Sequence, residues 1–213
     1  MTAPGDAIGR PPAGHPAGGG GFAGDIIAAR DDGPLASRIG RVVQGQLPPL
    51  LPAIAGVTVT AVLAALGMRN LPGVLLLTPA VAMLLAALGA DHPHDGRGDW
   101  LVPPLLQAGQ YVYLAAVAFS LGVPVPAAFA LIAVISLHHL DLLYRHRRGM
   151  LPEPRVTAAG LGWEGRMLVA GFGGMLGIET FVYIALAAYL WLLFGWDSLT
   201  CWLDRGTTDG GGW

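Results

Sequence analysis

The chain has 213 residues, 54% of them hydrophobic and only 12% charged, and its mean hydropathy is +0.56. A soluble domain carries about 25% charged residues, so an ordinary soluble globule is excluded, and a net charge of −2 argues against a nucleic-acid binder. The single cysteine, Cys201, leaves no internal disulfide framework and no multi-cysteine zinc site. All twelve basic residues are arginine, a bias shared with the abundant Gly, Ala and Pro, from which no chemistry is drawn.

Residues 1–29 read as a disordered tail. The run from Pro11 to Gly21 is too rich in Gly and Pro to bury apolar surface or hold a helix. It has no apolar core followed by a cleavage site, so it is not read as a signal peptide. Residues 30–203 form the expected membrane domain, and 204–213 read as another Gly-rich tail.

A helix needs about 20 apolar residues to cross the hydrocarbon core. The stretch 47–67 meets this within a charge-free run, and 71–90 meets it next. Residues 100–137 carry no charge and suffice for two spans, 101–122 and 125–144, parted by Gly122-Val123-Pro124-Val125-Pro126. Each of these four helices has proline in or just before its first turn: Pro48/Pro49, Pro72, Pro103/Pro104 and Pro124/Pro126. Gly67, Gly89 and Gly122 stand where left-handed caps are expected.

The last apolar region, 167–195, admits two readings. One helix would be about 43 Å long and would put Glu179 in mid-membrane, at about 3 kcal/mol if unpaired. A break at Gly177-Ile178 places Glu179 at a turn and is preferred. The fold expected is all-α, a polytopic bundle of six transmembrane helices with five as the alternative. Its fifth helix would be packed through Gly171, Gly173, Gly174 and Gly177.

Arginine placement sets the orientation. With six spans, Arg10, Arg30, Arg38, Arg41, Arg97, Arg145, Arg147, Arg148, Arg155, Arg166 and Arg205 share one side, and only Arg69 falls opposite. Both termini are then cytoplasmic, in the bacterial inner membrane.

The same face collects the polar clusters. The loop Asp91-His92-Pro93-His94-Asp95-Gly96-Arg97-Gly98-Asp99 holds carboxylates and imidazoles suited to a divalent metal, magnesium or manganese, with a phosphate substrate completing its shell. Asp91, His92, Asp95 and Asp99 are the candidate ligands; the other reading is a tight turn in which Asp99 caps the next helix. His138, Asp141 and Arg145 share a helix face at spacings of three and four. That face presents either a base beside an anion-binding arginine or an ordinary ion pair worth about 0.3–0.5 kcal/mol. Gln107, Gln110 and Tyr111 form a polar stripe in the third span, as interhelical hydrogen bonds or as the floor of a pocket.

The segment His92-x2-Asp95-Gly96-x2-Asp99-Trp100-x8-Gly109-x3-Tyr113-x3-Val117 resembles the CDP-alcohol phosphatidyltransferase signature Asp-x2-Asp-Gly-x2-Ala-Arg-x8-Gly-x3-Asp-x3-Asp. The Asp95-Gly96 to Gly109 spacing matches. His92, Asp99-Trp100, Tyr113 and Val117 stand at positions where the signature has other residues, including the aspartates that bind metal and act as base. The run Asp32-Gly33-x2-Ala36-Ser37 also begins like the signature, but no correctly spaced Gly or Asp follows it.

Across about residues 30–203 the chain also resembles a membrane domain family of high-GC bacteria without assigned activity. The resembling pieces are Arg30-Asp31-Asp32-Gly33-Pro34-Leu35-Ala36, His94-Asp95-Gly96-Arg97, Trp100-Leu101-Val102-Pro103-Pro104-Leu105-Leu106, the stretch 138–145, Gly162-Trp163-Glu164-Gly165-Arg166 and Trp196-Asp197-Ser198-Leu199-Thr200. That family is similar to the C-terminal part of nucleotidyltransferase/CDP-alcohol phosphotransferase fusion proteins. The resemblance implies a role in lipid head-group or phospho-polyol metabolism.

Three functions follow. In a metal-dependent phosphotransferase acting on a CDP-alcohol or lipid-phosphate substrate, Arg97, Arg145 and Arg166 would neutralise phosphate oxygens, and His138 or Asp141 would be the base. A non-catalytic scaffold would instead dock a partner enzyme on its polar loops. A transporter would need Glu179 deeply buried and paired.

Overall fold

The computed structural model describes residues 30–44, 46–67, 73–92, 96, 98–147 and 153–208. Among these, the regular structure is entirely helical: α1 (Pro34–Val43), α2 (Leu50–Leu66), α3 (Thr78–Met83), α4 (Val102–Leu121), α5 (Val125–Arg147), α6 (Pro154–Ala159), α7 (Gly162–Met175) and α8 (Glu179–Thr208). Tight 3₁₀ segments flank α3 at Gly73–Leu77 and Leu84–Gly89, and another, Asp99–Leu101, leads into α4. The tail expected over 1–29 and residues 93–95 and 97 of the acidic loop lie outside the described residues. Residues 204–208, read from the sequence as tail, continue α8.

Asp99–Leu121, Val125–Arg145 and Glu179–Leu203 are long and apolar enough to cross a membrane, while Leu50–Leu66 and Gly73–Gly89 are shorter apolar helical stretches. Large side chains project outward along them, including Leu51 and Leu66 on α2, Phe119 on α4, Phe129 on α5, and Phe181, Trp191 and Trp196 on α8. So much exposed apolar surface is a liability in water and is the expected covering of helices in lipid. The three long helices point to a membrane location.

The break at Gly177-Ile178 is present. Gly177 has φ +70°, its N–H donates to Gly174 O, and the Ile178 N–H reaches back to Gly173 O at 2.9 Å. This pair of bonds closes α7 and lets α8 start afresh. Glu179 therefore lies half-exposed in the first turn of α8, and the deep burial a transporter reading needs is not met.

Two expectations are corrected. The second apolar stretch is not one regular helix: Pro79, inside α3, has no N–H to give, and the flanking turns tighten to 3₁₀ geometry. Gly89 is not a left-handed cap. It lies within the 3₁₀ segment, and a Cβ there would fall 2.5 Å from Pro49 Cα, so it is small because the start of α2 crosses it.

Helix α4 is the axis of the bundle. Its buried Leu106, Tyr113, Leu114 and Val117 face α2 on one side and α7 on another, while α5 packs mainly on α8. Tyr113 donates to Leu76 O at 2.9 Å and Tyr183 to Leu114 O at 2.6 Å. These bonds satisfy two phenols that are otherwise fully buried among apolar side chains. Helix α1 docks on the 3₁₀ segment Leu84–Gly89 and on α7, burying Ala36 and Gly40 while Arg38 and Arg41 face outward.

Candidate functional site: a buried ionic cluster around Asp31

The strap of residues 30–33, just before α1, enters the bundle rather than lying on it: Arg30, Asp31 and Gly33 are buried. Its place is set by the N-terminus of α7. Leu161 and Gly162 have φ +67° and +62°, and a Cβ on Gly162 would lie 2.5 Å from Gly33 Cα. Only glycine allows the two backbones to approach this closely.

Glu164 fastens the contact. Its Oε2 accepts from Gly33 N–H at 3.1 Å and its Oε1 from Ala36 N–H at 3.0 Å, which caps the first turn of α1 with a charge-bearing side chain. Trp163 adds two bonds, from its indole to Asp32 Oδ1 at 2.8 Å and from its amide to Asp31 O at 3.3 Å. Arg30 pairs with Asp32 at 2.7 Å and donates to Ala86 O at 3.3 Å.

Asp31 is the centre. It is 3% exposed and holds φ +52°, a left-handed conformation that costs an ordinary residue about 1 kcal/mol or more. Arg166 Nη2 donates to its Oδ2. His139 Nε2 stands 3.2 Å from the same oxygen, and His138 Nε2 lies 3.7 Å from Oδ1, beyond hydrogen-bonding reach. Burial pushes the Asp31 carboxyl up, but the Arg166 guanidinium and the two imidazoles outweigh it and hold the group well below the usual carboxylate range. Burial also pushes Glu164 up, to about 7, against the amides of Ala36 and Gly33 and with help from the charge of Asp32.

The surroundings orient these groups. Arg166 Nε donates to Gly160 O at 2.9 Å. The His138 ring stacks on Phe194 at 3.5 Å with planes 5° apart, and the Arg166 guanidinium lies 5.7 Å from the centre of the same Phe194 ring. Tyr111 on α4 is 2.7 Å from His139 Nδ1. Three buried polar groups near this level keep atoms without a hydrogen-bond partner among the described residues: Arg166 Nη1, His138 Nε2 and both amide atoms of Gln110. A buried polar atom left unmatched costs about 1–3 kcal/mol, so each of these atoms calls for an explanation.

The structure thus unites some candidates and separates others. His138 and Arg166 meet at Asp31. Asp141 does not join them: it pairs with Arg145 at 2.7 Å, and Arg145 also pairs with Asp197 of α8 at 2.7 Å. The ordinary i, i+4 pair is therefore present, extended into a bridge between α5 and α8. Asp99 is buried and turned back on its own loop, accepting from Gly96 N–H at 3.0 Å, rather than capping α4. Asp91 is exposed and His92 half-exposed, while Asp95 and Arg97 lie outside the described residues. Among the described residues no three His, Cys, Asp or Glu side chains are grouped to hold a metal ion. Asp91, His92 and Asp99 are not grouped in this way, and Asp95, the fourth expected ligand, lies outside the described residues.

Asp31, His139, Glu164 and Trp163 are not among the sequence candidates, and Tyr111 enters there only through the polar stripe of the third span. The available signal was the charged pieces 30–36, 138–145 and 162–166, which are the ones that converge.

This is an all-helical, membrane-type bundle with an ionic cluster inside it, assembled from an N-terminal strap and helices α4, α5 and α7. The chain belongs to DUF5941, a family of unknown function whose model matches residues 23–209. No curated protein and no solved structure matches the chain.

Proposed function

We propose that this chain is a six-span protein of the bacterial cytoplasmic membrane, with both termini inside, that serves lipid head-group or phospho-polyol metabolism as a divergent phosphotransferase. The three long apolar helices are joined in this reading by the shorter stretches of α2, of α3 with its flanking turns, and of residues 167–176. The arginine bias opens the Asp31 cluster toward the cytoplasmic leaflet.

One observation carries the reading: buried Arg166 and His138 both face Asp31, and each keeps a nitrogen without a hydrogen-bond partner. A guanidinium and an imidazole so placed suit a phosphate oxygen. Electrostatic neutralisation is the main protein contribution to phosphoryl transfer. In this reading Arg166 keeps the phosphate-neutralising role the sequence suggested. His138, expected there as a base, moves beside it as a phosphate-binding group, and the cluster around Asp31 takes the acid–base role in place of His138 and Asp141.

The test compares membrane lipids of a deletion strain rescued with wild type, Arg166→Gln, His138→Gln or Asp141→Asn, at matched expression. The expected result is loss of a phosphate-bearing lipid product with the first two variants and retention with Asp141→Asn. Full product from both Arg166→Gln and His138→Gln overturns the reading. Repeating the wild-type assay on membranes with chelator and with added magnesium or manganese settles the metal requirement.

A scaffold for a partner enzyme is the second reading, favoured by the outward Arg38, Arg41 and Val42 of α1. It predicts that crosslinks to another protein form through α1 and that the lipid product is indifferent to Arg166→Gln.

A further inference from the structure

Of the five tyrosines, three commit their hydroxyl to a backbone carbonyl: Tyr113 to Leu76, Tyr183 to Leu114 and Tyr189 to Ala159. Tyr111 is different. Its oxygen lies 2.7 Å from a ring nitrogen of His139, whose other ring nitrogen lies 3.2 Å from Asp31 Oδ2. Asp31, ionised beside Arg166, can only accept, so His139 Nε2 carries the proton toward it. In the neutral imidazole, Nδ1 is then a lone pair, and the phenol must donate to it. Hydroxyl, imidazole and buried carboxylate stand in the order of nucleophile, base and orienting group.

The ends of this relay are unequal. Asp31 and His139 are buried, whereas Tyr111 is half-buried, so Tyr111 is the end of the relay nearest the surface. Tyr111 is nine residues into α4 from Val102, about 13 Å along its axis. A group that meets it there belongs to an amphiphile whose head dips below the surface, or to a substrate entering from the same mouth.

We propose that Tyr111 is a covalent nucleophile for phosphoryl transfer, with His139 as its general base and Asp31 as the positioning residue. The inference rests on the preceding reading that the cluster handles phosphate. The Tyr111 oxygen attacks the phosphorus of a phosphodiester or pyrophosphate donor while its proton passes to His139 Nδ1. The bond from phosphorus to the leaving oxygen breaks, and that oxygen takes the proton from the imidazolium. An acceptor alcohol then attacks the phosphotyrosine and gives its proton to His139. Tyr111 departs and recovers that proton, which restores the starting state. Arg166 neutralises the transferred group throughout, and His138 offers it a hydrogen bond.

The experiment treats the full chain in detergent with an aryl sulfonyl fluoride, which forms a sulfonate ester with an activated phenol and releases fluoride, and maps the labelled tyrosines by mass spectrometry. Tyr144 and Tyr189, both exposed, are the internal references. Tyr111 is expected to label faster than either despite its lower exposure. A positioned base contributes about 100-fold or more, and His139→Gln is expected to remove that advantage. Asp31→Asn is expected to move the pH midpoint of Tyr111 labelling, which a purely structural carboxylate would not do. Labelling of Tyr111 no faster than Tyr189, or unchanged by His139→Gln, overturns the assignment.

The lipid product separates this from the phosphate reading. Tyr111→Phe, which keeps the ring, is expected to lose the product. If it restores the product in full while Arg166→Gln does not, the nucleophile is wrong and the phosphate site stands.

Discussion

Arg166 and Asp31, 135 positions apart in sequence, are hydrogen-bonded side chain to side chain where neither is more than 3% exposed. The pair ties α7 to the strap that precedes α1, and the Arg166 guanidinium helps hold the Asp31 carboxyl in its ionised form.

Breaking this pair from either side should be severe. Removal of one member of a buried ion pair costs about 3–5 kcal/mol, because the other charge is left without compensation. Arg166→Met and Asp31→Asn should each lower the thermal unfolding midpoint in detergent, and the double variant should lose less than the sum of the two. Additive losses would show that the two side chains do not act as a pair.

Glu164 should make stability fall as pH rises through neutrality. Its folded value is raised from 4.5 to about 7, so the contribution is fully present below the unfolded value and is lost as pH climbs through the folded one. With 1.36 kcal/mol per unit, the window from about pH 4.5 to 7 spans roughly 3 kcal/mol. Unfolding midpoints measured from pH 5 to 8 should decline in wild type and be flatter in Glu164→Gln. Asp31 has the opposite sign: held low, it contributes stability present above its ordinary value, 3.8, and lost as pH falls through its depressed folded value.

The bridge of Arg145 to Asp141 and Asp197 should matter less. Arg145 is buried, but the two carboxylates keep 22% and 18% of their side-chain surface exposed, so water screens them. Arg145→Met is expected to cost about 1–2 kcal/mol, and Asp197→Asn in that background should recover part of it. A lipid product unchanged by Arg145→Met would confirm that the bridge is separate from the Asp31 cluster.

Gly162→Ala should detach the strap. The added methyl would enter the Gly33 backbone at a position already at φ +62°, a strain of about 1–3 kcal/mol before any clash. Hydrogen exchange at residues 30–33 should rise sharply while the amides of α4 and α5 stay protected. Uniform loss of protection would mean that the strap and bundle unfold together.

The apolar helices were legible because their signal is local: length, absence of charge, and Pro or Gly at their ends. The Gly177 break was readable for the same reason, since an unbroken helix would have buried Glu179. The cluster was only half legible. His138 and Arg166 stood out as ionisable groups at span ends, but nothing distinguished His139 from its neighbour until the helix phase turned it toward Tyr111. Asp31 was hidden because the short non-helical segment before α1 has no periodicity to say which way it faces. Its capture depends on glycine at 33 and 162 meeting across more than a hundred residues. The acidic loop stood out by density of charge, yet the carboxylate of Asp99 is taken up by the Gly96 amide of its own loop.

The strap imposes a schedule on the making of the protein. Asp31 leaves the ribosome long before His139 and Arg166 exist, and Glu164, which clasps Gly33, comes 131 positions later. The early segment can dock on residues 84–89 beforehand, through α1 and Arg30, but its bonds to α7 wait until α7 is delivered. The bonds that hold the strap to α7 therefore form only after synthesis has passed residue 166, so this part of the bundle is completed late.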